Sequence, residues 1–107
     1  MANGIIHHNG VYNIWSTVMD SPLFVSGLTH QMVVDYIREK HGEEGLRILS
    51  ERFEQAHKSG CDDMHHGHTL DDLINANRAG EKGAHMPKDD FLKKFFTIEA
   101  RFLSQEN

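Results

Sequence analysis

The first third of the chain alternates apolar and polar positions as β-strands do. It reads GIIHHNGVYNIWSTVMDSPLFVSGL and is rich in β-branched and aromatic residues, which favour strands. Asn9 and Gly10 predict a tight turn, and Pro22, with the Asp-Ser pair before it, predicts a second bend. We therefore predict an antiparallel β-ribbon or small sheet over about residues 5–25. Its predicted strands are Ile5–His8, Val11–Met19 and Leu23–Val25.

Both faces of the predicted middle strand carry bulky side chains. Tyr12 and Ile14 alternate with Val11 and Trp15, and alternate residues of a strand point to opposite faces. We expect one face to pack on helices and the other to be only partly covered. An uncovered apolar face is a place where a partner protein or a second copy docks, so we predict partner contacts at Trp15 and Phe24.

The remaining two thirds of the chain repeat apolar residues every three or four positions, which is typical of amphipathic helices. Thr29 is the predicted N-cap of the first helix, and the sequence HGEEG predicts a break after it. Gly60 suits a left-handed helix end, and Pro87 suits the first residue of a last helix. The predicted helices cover about residues 29–41, 44–59, 69–79 and 87–97.

The C-terminal residues fit two structures. In a helix, Glu99 would fall among the apolar positions, whereas in a strand Ile98, Ala100 and Phe102 alternate with polar neighbours. We predict helix to about Phe96 and keep a C-terminal strand over 97–103 as an alternative. The predicted fold class is thus α+β, with a small N-terminal sheet packed against three or four helices.

Composition agrees with one folded domain over residues 1–107. The chain is 38% hydrophobic and 25% charged, which are ordinary globular values. It has one cysteine and therefore no internal disulfide, and its start lacks the pattern of a signal peptide. These features predict a cytoplasmic location. No apolar run reaches the roughly 20 residues of a membrane helix.

Charge is distributed unevenly along the chain. The net charge is −5, which argues against direct binding to nucleic acid, because phosphate contacts require an excess of Lys and Arg. From Met1 to Val34 the only charged residue is Asp20. Nine histidines would bring the net charge from −5 to +4 if all were protonated, so we expect association that depends on pH.

The densest group of metal-ligating side chains lies in the sequence CDDMHHGHTLDD. Cys61, His65, His66 and His68 are the types of residue that bind zinc, although the paired spacing of strong zinc motifs is absent. The alternative interpretation is a polar loop between two helices. The following TLDD resembles a capping box with Asp in place of Glu, which would make Thr69 the start of a helix.

No enzyme motif stands out. The chain has no Gly-rich phosphate loop, no His-Glu-x-x-His helix and no Gly-x-Ser-x-Gly elbow. We therefore predict a small acidic interaction or regulatory protein without catalytic activity, and without a cofactor. Its size and charge fit inhibitors or adaptors of the kind that phages and mobile elements encode. Asp71 and Asp72 would then face a basic surface on a protein partner. The alternative is a small zinc-binding protein, hydrolytic in its strongest form, centred on Cys61–His68.

Overall fold

A three-stranded antiparallel sheet begins the structure, a computed structural model that describes residues 3–62 and 69–99. Strand β1 (Asn3–His8) pairs with β2 (Val11–Ser16), and β2 pairs with the short β3 (Ser21–Pro22). Asn9 and Gly10 have φ angles of 51° and 80°, which is the pattern of a tight hairpin turn. The predicted turn is confirmed.

Helices make up most of the remaining described chain. Helix α1 spans His30–Leu46 and α2 spans Leu49–Ser59. Helix α3 spans Leu70–Ala76, and α4 spans Lys88–Phe95 after a short 3-10 turn at Glu81–Gly83. The predicted α+β class, with its N-terminal antiparallel sheet and helices, is confirmed. None of the helices in the described part of the chain is long and apolar enough to cross a membrane.

The predicted helix ends follow from local hydrogen bonds. The Thr29 hydroxyl accepts the Met32 amide N–H at 3.2 Å. Gly60 ends α2 at a φ of 81° and donates its N–H to the Ala56 carbonyl, as a left-handed helix end does. Thr69 forms a capping box with Asp72. All three predicted ends are confirmed.

The strand boundaries differ from the prediction in the second and third strands. The second strand stops at Ser16 instead of Met19, because the Ser16 hydroxyl accepts the Met19 N–H at 3.2 Å and closes a turn. The third strand is Ser21–Pro22 instead of Leu23–Val25. Beyond Pro22 the Leu23 N–H still donates to the Ile14 carbonyl of β2 at 2.7 Å. The Asn13 side chain then binds the backbone of Phe24 and Ser26.

The helix boundaries also shift. The break predicted near HGEEG occurs at Gly42, where ψ is −158°, but the helix resumes and runs to Leu46. The second helix consequently begins at Leu49 and not near residue 44. Helix α3 stops at Ala76, short of the predicted 79, because Asn77 is extended. Pro87 precedes α4 as its N-cap residue.

The alternative C-terminal strand is not formed at residues 97–99. Residues 97–99 are neither helix nor strand, and residues 100–103 lie outside the described residues. The Thr97 carbonyl accepts the Gly27 N–H at 2.9 Å. This part of the chain therefore does return to the N-terminal third through this hydrogen bond.

Each face of the sheet is covered by its own pair of helices. One core contains Ile5 and Ile14 together with residues of α1 and α2. The other contains Ile6 and Trp15 together with residues of α3 and α4. Neighbouring residues of a strand point to opposite faces, so the sheet lies between two helical layers. The second face is more completely covered than the sequence predicts.

The free side of β1 is occupied by the chain that leaves α2. The His7 N–H donates to the Gly60 carbonyl, and the Asp62 N–H donates to the Ile5 carbonyl, both at 3.0 Å. Cys61 forms an isolated antiparallel bridge with Ile6. Strand β1 is therefore hydrogen-bonded on both sides, and the end of α2 is fixed against it.

Candidate interaction surface and histidine cluster

Large apolar side chains are exposed together on the segment that contains β3. We call this group the hairpin surface, and it consists of Val18 (81% exposed), Met19 (52%), Leu23 (36%) and Val25 (72%). Among the described residues one further large apolar side chain, Ile48 (41%), is exposed, in the connection between α1 and α2. Exposed apolar side chains are thus concentrated in eight residues of sequence.

The local backbone explains why these side chains point outward. Val18 and Met19 occupy the turn between the paired residues Ser16 and Ser21. After Pro22 the chain bends over residues 23–26, and Phe24 packs against the first core, where its ring lies 5.4 Å from that of Tyr36. Leu23 and Val25, on either side of Phe24, are exposed.

A buried asparagine fixes the backbone under the hairpin surface. Asn13 is fully buried. Its Nδ2 donates to the carbonyls of Phe24 (3.0 Å) and Ser26 (3.2 Å), and it also donates to that of Phe95 (3.0 Å). Its Oδ1 accepts the Phe24 N–H at 3.3 Å. The segment that carries Leu23 and Val25 is thus tied to both the sheet and α4.

The turn is held by a further hydrogen bond, and the far end of the segment is closely packed. Asp20 has a φ of 53°, and its carbonyl accepts the Arg78 N–H at 2.8 Å. Gly27, at the far end of the segment, leaves no room for a side chain, because a Cβ there would lie 2.4 Å from Val11 Cγ1. The exposed apolar side chains therefore project from a fixed backbone.

The predicted partner residues fall in different environments. Trp15 is 3% exposed and its ring lies 6.3 Å from that of Phe91, so it belongs to the second core. Phe24 is partly buried and supports the hairpin surface from inside. Neither ring is presented to solvent as a whole.

The two predicted acidic residues are engaged within their own layer. Asp72 accepts the Thr69 N–H at 3.0 Å while Thr69 accepts the Asp72 N–H, which completes the capping box. Asp71 lies 2.9 Å from Lys88 Nζ, and both of these side chains are more than half exposed. Helix capping and a surface ion pair account for both carboxylates.

The predicted zinc ligands are only partly described. Cys61 is 2% exposed and packs in the second core, whereas His65, His66 and His68 lie outside the described residues. Within residues 3–62 and 69–99 no three His, Cys, Asp or Glu side chains are arranged to hold a metal ion. Zinc binding by this loop stays a prediction.

The neighbour of Cys61 has a role that the sequence does not indicate. Asp62 is 4% exposed, its Oδ1 accepts the Ile5 N–H at 2.6 Å, and its Oδ2 accepts from Arg52 Nε at 2.5 Å. Burial raises the pKa of Asp62, although Arg52 and the Ile5 amide act in the opposite direction. Asp62 thus joins α2 to β1, and its partners lie 10 and 57 residues away.

A cluster of aromatic and imidazole rings closes one end of the first core. Tyr12 is 4% exposed, and its hydroxyl lies 2.5 Å from His57 Nε2. His57 stacks on His7, with ring centroids 4.0 Å apart and an angle of 25° between the planes. On the other side of Tyr12, His30 stacks on Phe53 at 4.1 Å. The sequence gives no sign of this group beyond the number of its histidines.

Comparison with known proteins identifies no relative. No family model, no curated protein and no solved structure matches this chain.

The two arrangements differ in what they can do chemically. The hairpin surface offers apolar area without charge, which suits contact with another apolar surface. The ring cluster offers hydrogen bonds that depend on which imidazole nitrogens carry protons. The Tyr12 hydroxyl and His57 Nε2 are already paired with each other, and His7 Nε2 is paired with the Gly10 N–H.

Proposed function

We propose that this protein is a small intracellular interaction module that binds a protein partner through the hairpin surface. The observation that carries the proposal is the concentration of exposed apolar side chains on a fixed backbone. This part of the chain has almost no charged residues. Apolar groups grouped in this way on a surface are typical of binding sites.

The fixed backbone favours binding. Association costs free energy when loops and side chains become ordered. Asn13 and the Arg78 amide already hold the segment in place, and valine side chains have few rotamers to lose. More of the apolar contact free energy of Val18 and Val25 therefore remains as affinity.

Charge favours a basic partner over a second copy. The net charge is −5, and Asp20 is the one charged residue in the first 34 positions. Two copies of the chain repel each other at long range, whereas a basic partner is attracted. We infer a partner with an apolar pocket surrounded by Lys and Arg, as an inhibitor or adaptor of this size would require.

A crosslinking and affinity experiment tests this proposal. A photoreactive residue at Val18 should capture the partner in the native host, and the same residue at the control position Ile48 should not. With the partner purified, Val18→Asp with Val25→Asp should weaken binding by about 100-fold, because two apolar contacts are lost and charge is buried. Ile48→Asp should change affinity less than about twofold.

Three results would contradict the proposal. Equal affinities for the double variant and the Ile48 control would show that the hairpin surface is not the binding site. A concentration-dependent dimer of the purified chain, abolished by the double variant, would replace the basic partner with a second copy. Affinity that does not fall with added salt would also exclude the basic partner.

A further inference from the structure

His7 lies where the β1–β2 turn meets the last turn of α2. The Gly10 N–H donates to His7 Nε2 at 2.9 Å. A backbone amide nitrogen can only donate, so Nε2 must be without a proton, and the neutral ring must carry its proton on Nδ1. The structure therefore requires a neutral His7.

The opposite contact of the ring is with α2. His57 stacks on His7 with centroids 4.0 Å apart, and the backbone N–H of His7 donates to the Gly60 carbonyl. His57 differs from His7 in its hydrogen-bond partner. Its Nε2 lies against the Tyr12 hydroxyl, which can donate or accept, so this contact does not require one particular tautomer. Protonation of His7, by contrast, turns its Nε2 into a second donor facing the Gly10 N–H.

Among the described residues, the charged or titratable groups that act on His7 are basic. His8 on β1 and His57 on α2 are themselves basic, Lys58 follows His57 in sequence, and Tyr12 on β2 is buried. Glu54 lies one turn from His57 on α2. Burial of His7, with His57 and His8 close to it, holds its pKa below the ordinary 6.5.

Across a cavity of about 290 Å³ from His7 lie the charged residues of the other helical layer. They are Asp71 of α3 and Lys88 of α4, which pair with each other at 2.9 Å. The carboxylate of Asp71 is therefore already paired with Lys88, and the described residues that line the cavity include no other carboxylate.

We propose that His7 is an acid-sensitive latch, which in its neutral form ties the β1–β2 turn to the end of α2 and on protonation releases this contact. Above pH 6.5 the latch is closed. As the pH falls below 6.5, an opened His7 takes up a proton more readily than a closed one. The population of the opened form therefore increases. The gain levels off below the lowered pKa of the closed form. Acid therefore loosens this end of the molecule.

Hydrogen exchange of the Gly10 amide measures the latch. Between pH 7.5 and pH 5.0 its protection factor should fall, and by no more than about 30-fold, since the opened His7 titrates with the ordinary pKa and the closed one with a lower pKa. His7→Phe keeps a ring but offers no acceptor, so Gly10 should be weakly protected at both pH values. His41→Gln, a change at an exposed histidine of α1, should leave the full fall in place.

Nuclear magnetic resonance provides a second test that needs no His7 variant. In the wild-type protein, long-range proton–nitrogen spectra at pH 7.5 should show His7 protonated at Nδ1, with a titration midpoint below 6.5. His57→Gln should move this midpoint toward 6.5, because one basic neighbour is removed. The proposal fails if His7 carries its proton on Nε2 or titrates at 6.5 or above. It also fails if Gly10 protection is the same at both pH values.

Discussion

Three buried side-chain groups connect backbone segments that are far apart in sequence. Asn13 binds the segment after β3, and Asn77 binds the backbone of Met86 through both its Oδ1 and its Nδ2. Asp62 binds the Ile5 amide. A buried polar atom is costly when it has no partner, and every buried side-chain nitrogen and oxygen among the described residues has one. Each such residue therefore specifies one arrangement of its segments.

Asp62 and Asp71 offer a matched comparison of buried and exposed ion pairs. We expect Asp62→Asn to lower the free energy of unfolding by about 3 kcal/mol, because Arg52 would lose its counter-charge at a site that is nearly closed to water. Asp71→Asn should cost less than about 1 kcal/mol, since both members of its pair are exposed. Urea unfolding of the two variants measures the difference, and similar losses would contradict the assignment.

At the scale of single elements, short-range signals determine what the sequence can predict. The Asn9-Gly10 turn and the helix starts at Thr29 and Thr69 depend on hydrogen bonds that span three or four residues. Such bonds can be inferred from neighbouring residue types. This is why the order and type of the elements were predicted and their class confirmed.

The capping box of α3 provides the element-scale prediction. Thr69→Ala should lower the free energy of unfolding by about 1 kcal/mol, because the Asp72 N–H loses its acceptor. Thr69→Ser keeps the hydroxyl and should cost only a few tenths of that amount. Thermal unfolding followed by circular dichroism compares them. If the serine variant were as unstable as the alanine variant, the hydroxyl would not be the stabilising group.

Contacts between distant residues set the features that the sequence could not predict. The segment after the short β3 bonds through its backbone, at Phe24 and Ser26, to the side chain of Asn13. The pairing of His7 with His57 joins positions 50 residues apart, and Asp62 reaches Ile5 over an even longer separation. No local pattern of residue types encodes these partners. The exposed position of Val18 and Val25 likewise follows only from the turn and the inward Phe24.

At the scale of the whole molecule, charge and the hairpin surface act together on solubility. The sequence isoelectric point is about 5.9, so repulsion between copies is weakest near pH 6 while the apolar side chains stay exposed. We expect a solubility minimum near pH 6 when the purified protein is titrated from pH 5 to pH 8. A flat solubility curve over this range would contradict the expectation.

The position of β1 between the two cores has a consequence for the order in which the protein can form during synthesis. Ile5 and Ile6 face different cores, and the cover over Ile6 comes from Leu70, Ile74 and the phenylalanines of α4. When residues up to Gly60 have left the ribosome, the first core can already assemble, but the Ile6 and Trp15 face of the sheet is bare. It stays so until α4 emerges. The nascent chain therefore exposes this apolar face of the sheet until late in translation. Apolar surface exposed in this way is prone to aggregate, and chaperones protect it.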